Sequence, residues 1–189
     1  LIGCGGRGSW IAKLFADSGK YRFVACADYF QDKADAVGEK HNIDSSRRYT
    51  GLSGYKRLLD SKLDAVVIET PPYFHPQQAA DAVDAGKHVY LAKPIAVDVP
   101  GCRSVEDSAN GAQAKKRAFF VDFQTRAHRL YQDCAQRIQK GGLGLIISAE
   151  AAYQTGPVGE NVDKDRRADP KNQELKLRAQ QMDFTDLEW

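Results

Sequence analysis

No stretch of this sequence stays apolar for anything near the roughly 20 residues a helix needs to cross a bilayer, so a membrane partner has no support. Charge of one sign is missing too. The 27 Lys and Arg stand against 25 Asp and Glu, and a net charge of +2 gives no reason to expect nucleic acid or an anionic membrane surface. Cysteine is sparse: Cys4, Cys26, Cys102 and Cys134 show no C-x-x-C spacing and sit among apolar or helical neighbours. Neither a zinc knuckle nor a disulfide framework follows, no metal site is expected, and the thiols read as reduced and structural. There is no initiator Met and no signal peptide, and only Leu1 and Ile2 stand where a strand usually has about five residues. The chain therefore reads as truncated at both ends. A cytoplasmic location is expected, with an exported form left open because this N-terminus carries no targeting information.

What is present starts at once. Leu1-Ile2-Gly3-Cys4-Gly5-Gly6-Arg7-Gly8 reads as a strand end running into a helix start, and Gly3, Gly5 and Gly8 make the pattern G-x-G-x-x-G. In a dinucleotide-binding βαβ unit the first glycine permits a tight turn, the second lets backbone approach the pyrophosphate, and the third lets helix and strand pack closely. The pyrophosphate then meets free N–H groups at the positive end of the helix dipole. Residues 21–27 (YRFVACA) look like the next strand, and Asp28 closes it 20 residues after Gly8. That is the spacing at which a carboxylate accepts hydrogen bonds from the adenosine ribose.

The rest of the chain keeps alternating. Helices are predicted over residues 9–18, 31–41, 53–60, 75–86, 98–114 and 128–140, and strands over 21–27, 47–50, 64–69, 87–91 and 117–122. Residues 64–69 (DAVVIE) form a continuous apolar run before Thr70-Pro71-Pro72, as a parallel strand buried on both faces would. The strand at 87–91 delivers Ala92-Lys93-Pro94 to its C-terminal end, the edge where open α/β sheets hold ligands. Trp10 is expected in the core, and His41 at the surface, stabilised by a helix C-terminus. The pattern is that of a doubly wound parallel sheet ending near Gln124, which puts a dinucleotide domain at 1–124 and the beginning of a second domain at 125–189. With 189 residues against about 100–150 for a typical domain, that division fits. A strand at 143–153 is expected to open a new layer, and 156–172 reads as a long polar loop.

At this point the sequence resembles the glucose-fructose oxidoreductase and inositol dehydrogenase family, often written Gfo/Idh/MocA, over residues 1 to about 153. GCGGRGSW (3–10) is similar to its nucleotide loop, ACAD (25–28) to its ribose-binding strand end, and ETPPYFHPQQAADAVDAGKHVY (69–90) to the strand, helix and strand that follow. AKP (92–94) stands where the family has E-K-P, and FQTR (123–126) with GGLG (141–144) resembles its domain junction. The resemblance implies a Rossmann domain followed by an α+β domain built on an open, mainly antiparallel sheet. It implies NAD(P)-dependent oxidation or reduction of a carbon in a sugar or polyol, and a complete protein that is a homo-oligomer with a carbohydrate-like substrate. Residue by residue, it implies that Gly3, Gly5, Gly6, Arg7 and Gly8 surround the pyrophosphate and that Asp28 binds ribose. Thr70, Pro71, Pro72 and His75 would lie beside the cofactor, and Lys93 at the junction of nicotinamide and substrate. Two departures stand out: Ala92 replaces the family's glutamate, and the family's later catalytic His and Asp have no counterpart before Trp189.

Among chemistry-bearing side chains, Lys93 is the expected catalyst, since a lysine can polarise a carbinol oxygen or share in its proton transfer. His75 reads as a helix-opening residue first, Glu69 as either a supporting or an exposed carboxylate, and Arg126 as either a substrate or an ion-pair residue. NAD is expected over NADP, because the Asp28 carboxylate repels a 2′-phosphate and no arginine follows it directly; Arg47 and Arg48 qualify this if their loop turns inward. A glycoside hydrolase of the same superfamily that oxidises its sugar transiently, a binding module without chemistry, and an S-adenosylmethionine methyltransferase are the competing readings.

Overall fold

The computed structural model describes residues 1–152. Contacts divide the chain into units Leu1–Gln136 and Arg137–Trp189, and every described strand lies in the first. Leu1 and Ile2 enter the middle of a parallel sheet. Ile2 bridges Ala27 on one side and Ile68 on the other, with its N–H 2.8 Å from the Val67 oxygen and the Gly3 N–H 2.8 Å from the Ala27 oxygen. On the Ala27 side stand β1 (Cys26–Asp28) and β2 (Arg48–Thr50). On the other side stand β3 (Ala65–Ile68), β4 (His88–Leu91) and β5 (Phe119–Val121). All pair in parallel. The chain therefore starts at the centre, winds outward one way, returns, and winds outward the other way, leaving a switch point at the opening segment.

The period of two along each strand decides the layers. Leu1, Cys26 and Val67 fall in one buried cluster with Ile11 and Ala12 of α1 (Gly6–Asp17) and Ala34 and Val37 of α2 (Gln31–Lys40). Ile2, Ala27, Val66, Ile68, Val89 and Leu91 point the other way. They pack with Leu58 of α3 (Gly54–Leu59), Ala79 and Ala82 of α4 (His75–Asp84), and Val105 and Ala112 of α5 (Val99–Ala114). A strand covered on both faces has no polar side to show, which is why β3 reads as an unbroken apolar run. Each fully enclosed Ile or Leu here, such as Ile68 or Leu91, contributes about 1.5–3 kcal/mol relative to exposure. The helix starts follow local chemistry. Asp98 caps α5, its Oδ1 accepting from the Gly101 N–H at 2.7 Å.

Three expectations are corrected. Trp10 is not core but 47% exposed: α1 starts at Gly6 rather than residue 9, and the face it turns inward carries Gly8, Ile11 and Ala12, which leaves Trp10 off it. His41 caps the C-terminus of α2 but is half-buried against Phe23, ring centres 5.3 Å apart. Burial and then Lys40 lower its pKa, so desolvation outweighs the helix dipole there. Residues 143–152 form no strand among the described residues, with Leu145 and Ile147 about nine-tenths exposed at 90% and 91%. A strand exists only as part of a ladder, and no described segment pairs with this one. Residue 153 and the polar loop expected at 156–172 lie outside the described residues.

A Cβ on Gly8 would overlap the Gly3 carbonyl oxygen, whereas one on Gly6 would meet nothing within 4 Å. Gly8→Ala is therefore expected to lower stability by about 1–3 kcal/mol through overpacking. Gly6→Ala should keep or raise it, since alanine is the better helix former. Urea unfolding midpoints of the two variants check the contrast; equal midpoints would contradict the loop geometry.

Candidate functional site

Every sequence-predicted site residue except the exposed Arg126 comes to the C-terminal edge of the sheet around the switch point. Gly3 has φ +90°, and a Cβ there would lie 2.6 Å from the Glu69 carbonyl carbon and 2.8 Å from the Thr70 nitrogen. Only glycine lets the loop press so closely on the end of β3. Gly5 is the N-cap of α1 and no side chain caps that helix. Cβ atoms on Gly5 or Gly6 would meet nothing within 4 Å. The first turn of α1 thus opens onto space with its N–H groups and the positive end of its dipole, an arrangement suited to an anion.

Asp28 ends β1 beside this loop. Its Oδ2 accepts from the Cys4 N–H at 2.7 Å and its Oδ1 from the Phe30 N–H at 3.0 Å. The carboxylate is thereby held at the loop with acceptor capacity to spare. The arginines that qualified the cofactor preference have other partners. Arg47 donates to the Lys62 carbonyl at 3.0 Å; Arg48 donates to the Ile43 carbonyl at 3.0 Å and pairs with Asp35 at 3.4 Å.

On the other side of the switch point, the Thr70 hydroxyl donates to Gln78 Oε1 at 2.6 Å. His75 is fully buried at the start of α4, with Nε2 2.7 Å from the Thr70 carbonyl oxygen and Nδ1 2.9 Å from that of Pro94. The imidazole thus sits between the Thr70-Pro71-Pro72 turn and the Lys93-Pro94 turn, whose peptide is cis, and in its neutral form donates to only one of the two oxygens. Burial lowers its pKa against the pull of the two carbonyls. Lys93 itself is exposed at the end of β4, and Ala92, where the resemblance has a glutamate, is buried.

Arg7 is the residue whose surroundings the sequence did not announce. Its Nε lies 3.0 Å from Glu69 Oε2, an ion pair without hydrogen-bond alignment, and its Nη2 bonds to Asp122 Oδ2. The guanidinium also lies 5.7 Å from the centre of the Trp10 ring. The Glu69 side chain is wholly enclosed. Burial pushes its carboxyl up to about 7, against the pull of Arg7 and helped by Asp122. Asp122 follows β5 much as Asp28 closes β1, and a strand-end acid was the one signal by which it could have been singled out. Arg126 has its guanidinium 5.2 Å from the Phe123 ring centre.

The central switch point, the glycine turn into α1 and the strand-end acid together define a Rossmann fold of the dinucleotide-binding kind. The family model describing an oxidoreductase family with an NAD-binding Rossmann fold (GFO_IDH_MocA) matches residues 1–123, and the chain belongs to that family. Among curated relatives, a Glycosyl hydrolase family 109 protein 3 from Phocaeicola vulgatus is 32% identical over 159 residues, covering 81% of this chain and 28% of that protein. An inositol 2-dehydrogenase from Klebsiella pneumoniae is 25% identical over 156 residues, 78% of this chain and 46% of that one. The apo scyllo-inositol dehydrogenase from Lactobacillus casei shares the fold at TM-score 0.63 with 24% identity, over 76% of this chain and 41% of its own. The chain thus spans less than half the length of these relatives.

A histidine that burial keeps neutral should titrate low. The His75 imidazole is expected to show an NMR titration midpoint below the ordinary 6.5. Because the unfolded chain takes the proton at its ordinary value and the folded chain resists it, the stability His75 contributes declines as pH falls below about 6.5. A midpoint at or above that value would mean that the two carbonyl oxygens, which favour the protonated ring, outweigh its burial.

Proposed function

We propose that this chain is the cofactor-binding part of an NAD-dependent oxidoreductase that transfers a hydride between nicotinamide and a carbon of a sugar, polyol or sugar derivative. One observation carries the reading: the uncapped first turn of α1 opens onto free space over Gly5 and Gly6, directly beside Asp28. Gly3, Gly5, Gly6 and Gly8 would receive the pyrophosphate, Asp28 the ribose hydroxyls, and Thr70, Pro71 and Pro72 would lie beside the nicotinamide, with the buried His75 supporting that turn from behind. Bound NAD supplies the hydride acceptor. The work of the chain is to bind, to orient, and through Lys93 to polarise the substrate oxygen and share its proton. We read residues 1–124 as the cofactor domain and 125–189 as part of a domain that completes the substrate site in a homo-oligomer.

NAD rather than NADP is supported by the Asp28 carboxylate and by the engagement of Arg47 and Arg48 elsewhere. Calorimetry is expected to give tighter binding of NAD than of NADP. Asp28→Ala should weaken NAD about tenfold or more, the loss of charge-assisted hydrogen bonds, while narrowing the preference. Tighter binding of NADP to the unaltered protein would overturn the assignment.

A second reading has its own support in the 32% identical relative named a glycosyl hydrolase: a sugar is oxidised transiently and the hydride returned. Net NADH accumulation in steady turnover on sugars and polyols separates the two, since only the oxidoreductase accumulates it. In either case Lys93→Met in the complete enzyme should leave NAD affinity within a few fold and lower kcat by about 10²- to 10⁴-fold. Turnover near that of the unaltered enzyme would make Lys93 a bystander.

A further inference from the structure

The Glu69 side chain packs directly beneath the glycine loop that opens α1. A Cβ on Gly8 would lie 3.4 Å from Glu69 Cβ, and the Glu69 side chain has no exposed surface. Neither of its oxygens has an aligned hydrogen-bond donor. The ionisable groups that face it among the described residues are Arg7 from α1, Asp122 after β5 and Tyr90 from β4. One cation is therefore shared between two carboxylates, and the cluster carries a net negative charge when both are ionised.

A buried carboxylate and a bound pyrophosphate draw on the same two sources of positive potential, the Arg7 guanidinium and the N-terminal end of α1. They also repel one another through a poorly screened interior. We propose that dinucleotide binding is coupled to protonation of Glu69: as the pyrophosphate settles on the first turn of α1, the Glu69 carboxylate takes one proton from solvent, and Arg7 is left to Asp122 and the ligand. The inference rests on the dinucleotide reading given above. Glu69 acts as a positioning residue here, setting the charge beneath the loop without touching the reacting atoms.

The sign follows from linkage. The neutral form of Glu69 favours the anion, so NAD affinity is highest below neutral pH and weakens as pH rises through the Glu69 titration. The limit is about tenfold per pH unit, the slope for one linked proton. The test is calorimetry of NAD binding to the full chain, in buffers of different ionisation enthalpy, at pH 5.5 and pH 8. Uptake approaching one proton per NAD is expected at pH 8 and none at pH 5.5. In Glu69→Gln, uptake should vanish at both values, and NAD affinity should become flat with pH. Asp122→Asn removes the neighbouring like charge and should move the uptake window to lower pH, a shift that a purely structural role would not produce and that decides the matter if Glu69→Gln fails to fold. NAD binding with no proton uptake, or with equal uptake in the glutamine variant, overturns the proposal alone. No NAD binding at any pH overturns the cofactor reading together with it.

Discussion

The edge of the sheet depends on the close contact of the opening loop with the end of β3. Gly3 lies so near the Glu69–Thr70 peptide, and Gly8 so near Gly3, that a single methyl group at either place would force them apart. That approach docks the N-terminus of α1 at the sheet's switch point. The position of every other group at the edge is set relative to it. The two hydrogen bonds flanking Ile2 hold the halves of the sheet together through the same few residues, so the point where topology reverses and the point where a ligand would be received are held by one segment.

Around this contact the structure handles charge by sharing. Asp28 is bound by backbone N–H groups of Cys4 in the loop and of Phe30 just past its strand, which hold a carboxylate at the edge. Arg7 divides its guanidinium between Glu69 and Asp122 and lies over Trp10. The half-exposed tryptophan is thus explained by the arginine and not by the core. Removing either acid would leave a partly buried cation with fewer partners, the costly direction for any buried ion pair. His75 lies between two turns, its ring nitrogens near the Thr70 and Pro94 carbonyl oxygens, and the neutral ring that burial favours donates to only one of them at a time.

The alternation of β3 and β4 with helices, the glycine loop and Asp28 could be read from the residues alone. The reason is that these features depend on local rules: a period of two or 3.6, the conformational freedom of glycine, and a fixed count of residues across one βαβ unit. The apolar run of Val66, Val67 and Ile68, buried on both faces, belongs to the same kind. Membership of the family follows from these motifs in their order, and the match over residues 1–123 agrees. The start of α1 was misjudged by three residues, because glycines are poor helix formers in isolation and only packing against Gly3 carries the helix back to Gly6.

Tertiary structure decided what depends on partners distant in the chain. Glu69, Arg7 and Asp122 are spread over more than a hundred residues, and nothing in their neighbourhoods shows that one guanidinium serves both acids. Trp10 faces outward, His41 loses its helix-dipole advantage to burial, and residues 143–152 pair with no other described segment, for reasons that no local pattern records. The sequence by itself determined the order of the elements and the chemistry of the loop, since both are written at short range. Which charges meet, which side chains are desolvated and which strand finds a neighbour were decided only by folding, because Coulomb energy, burial and ladder pairing are properties of distances through space and not of separation along the chain.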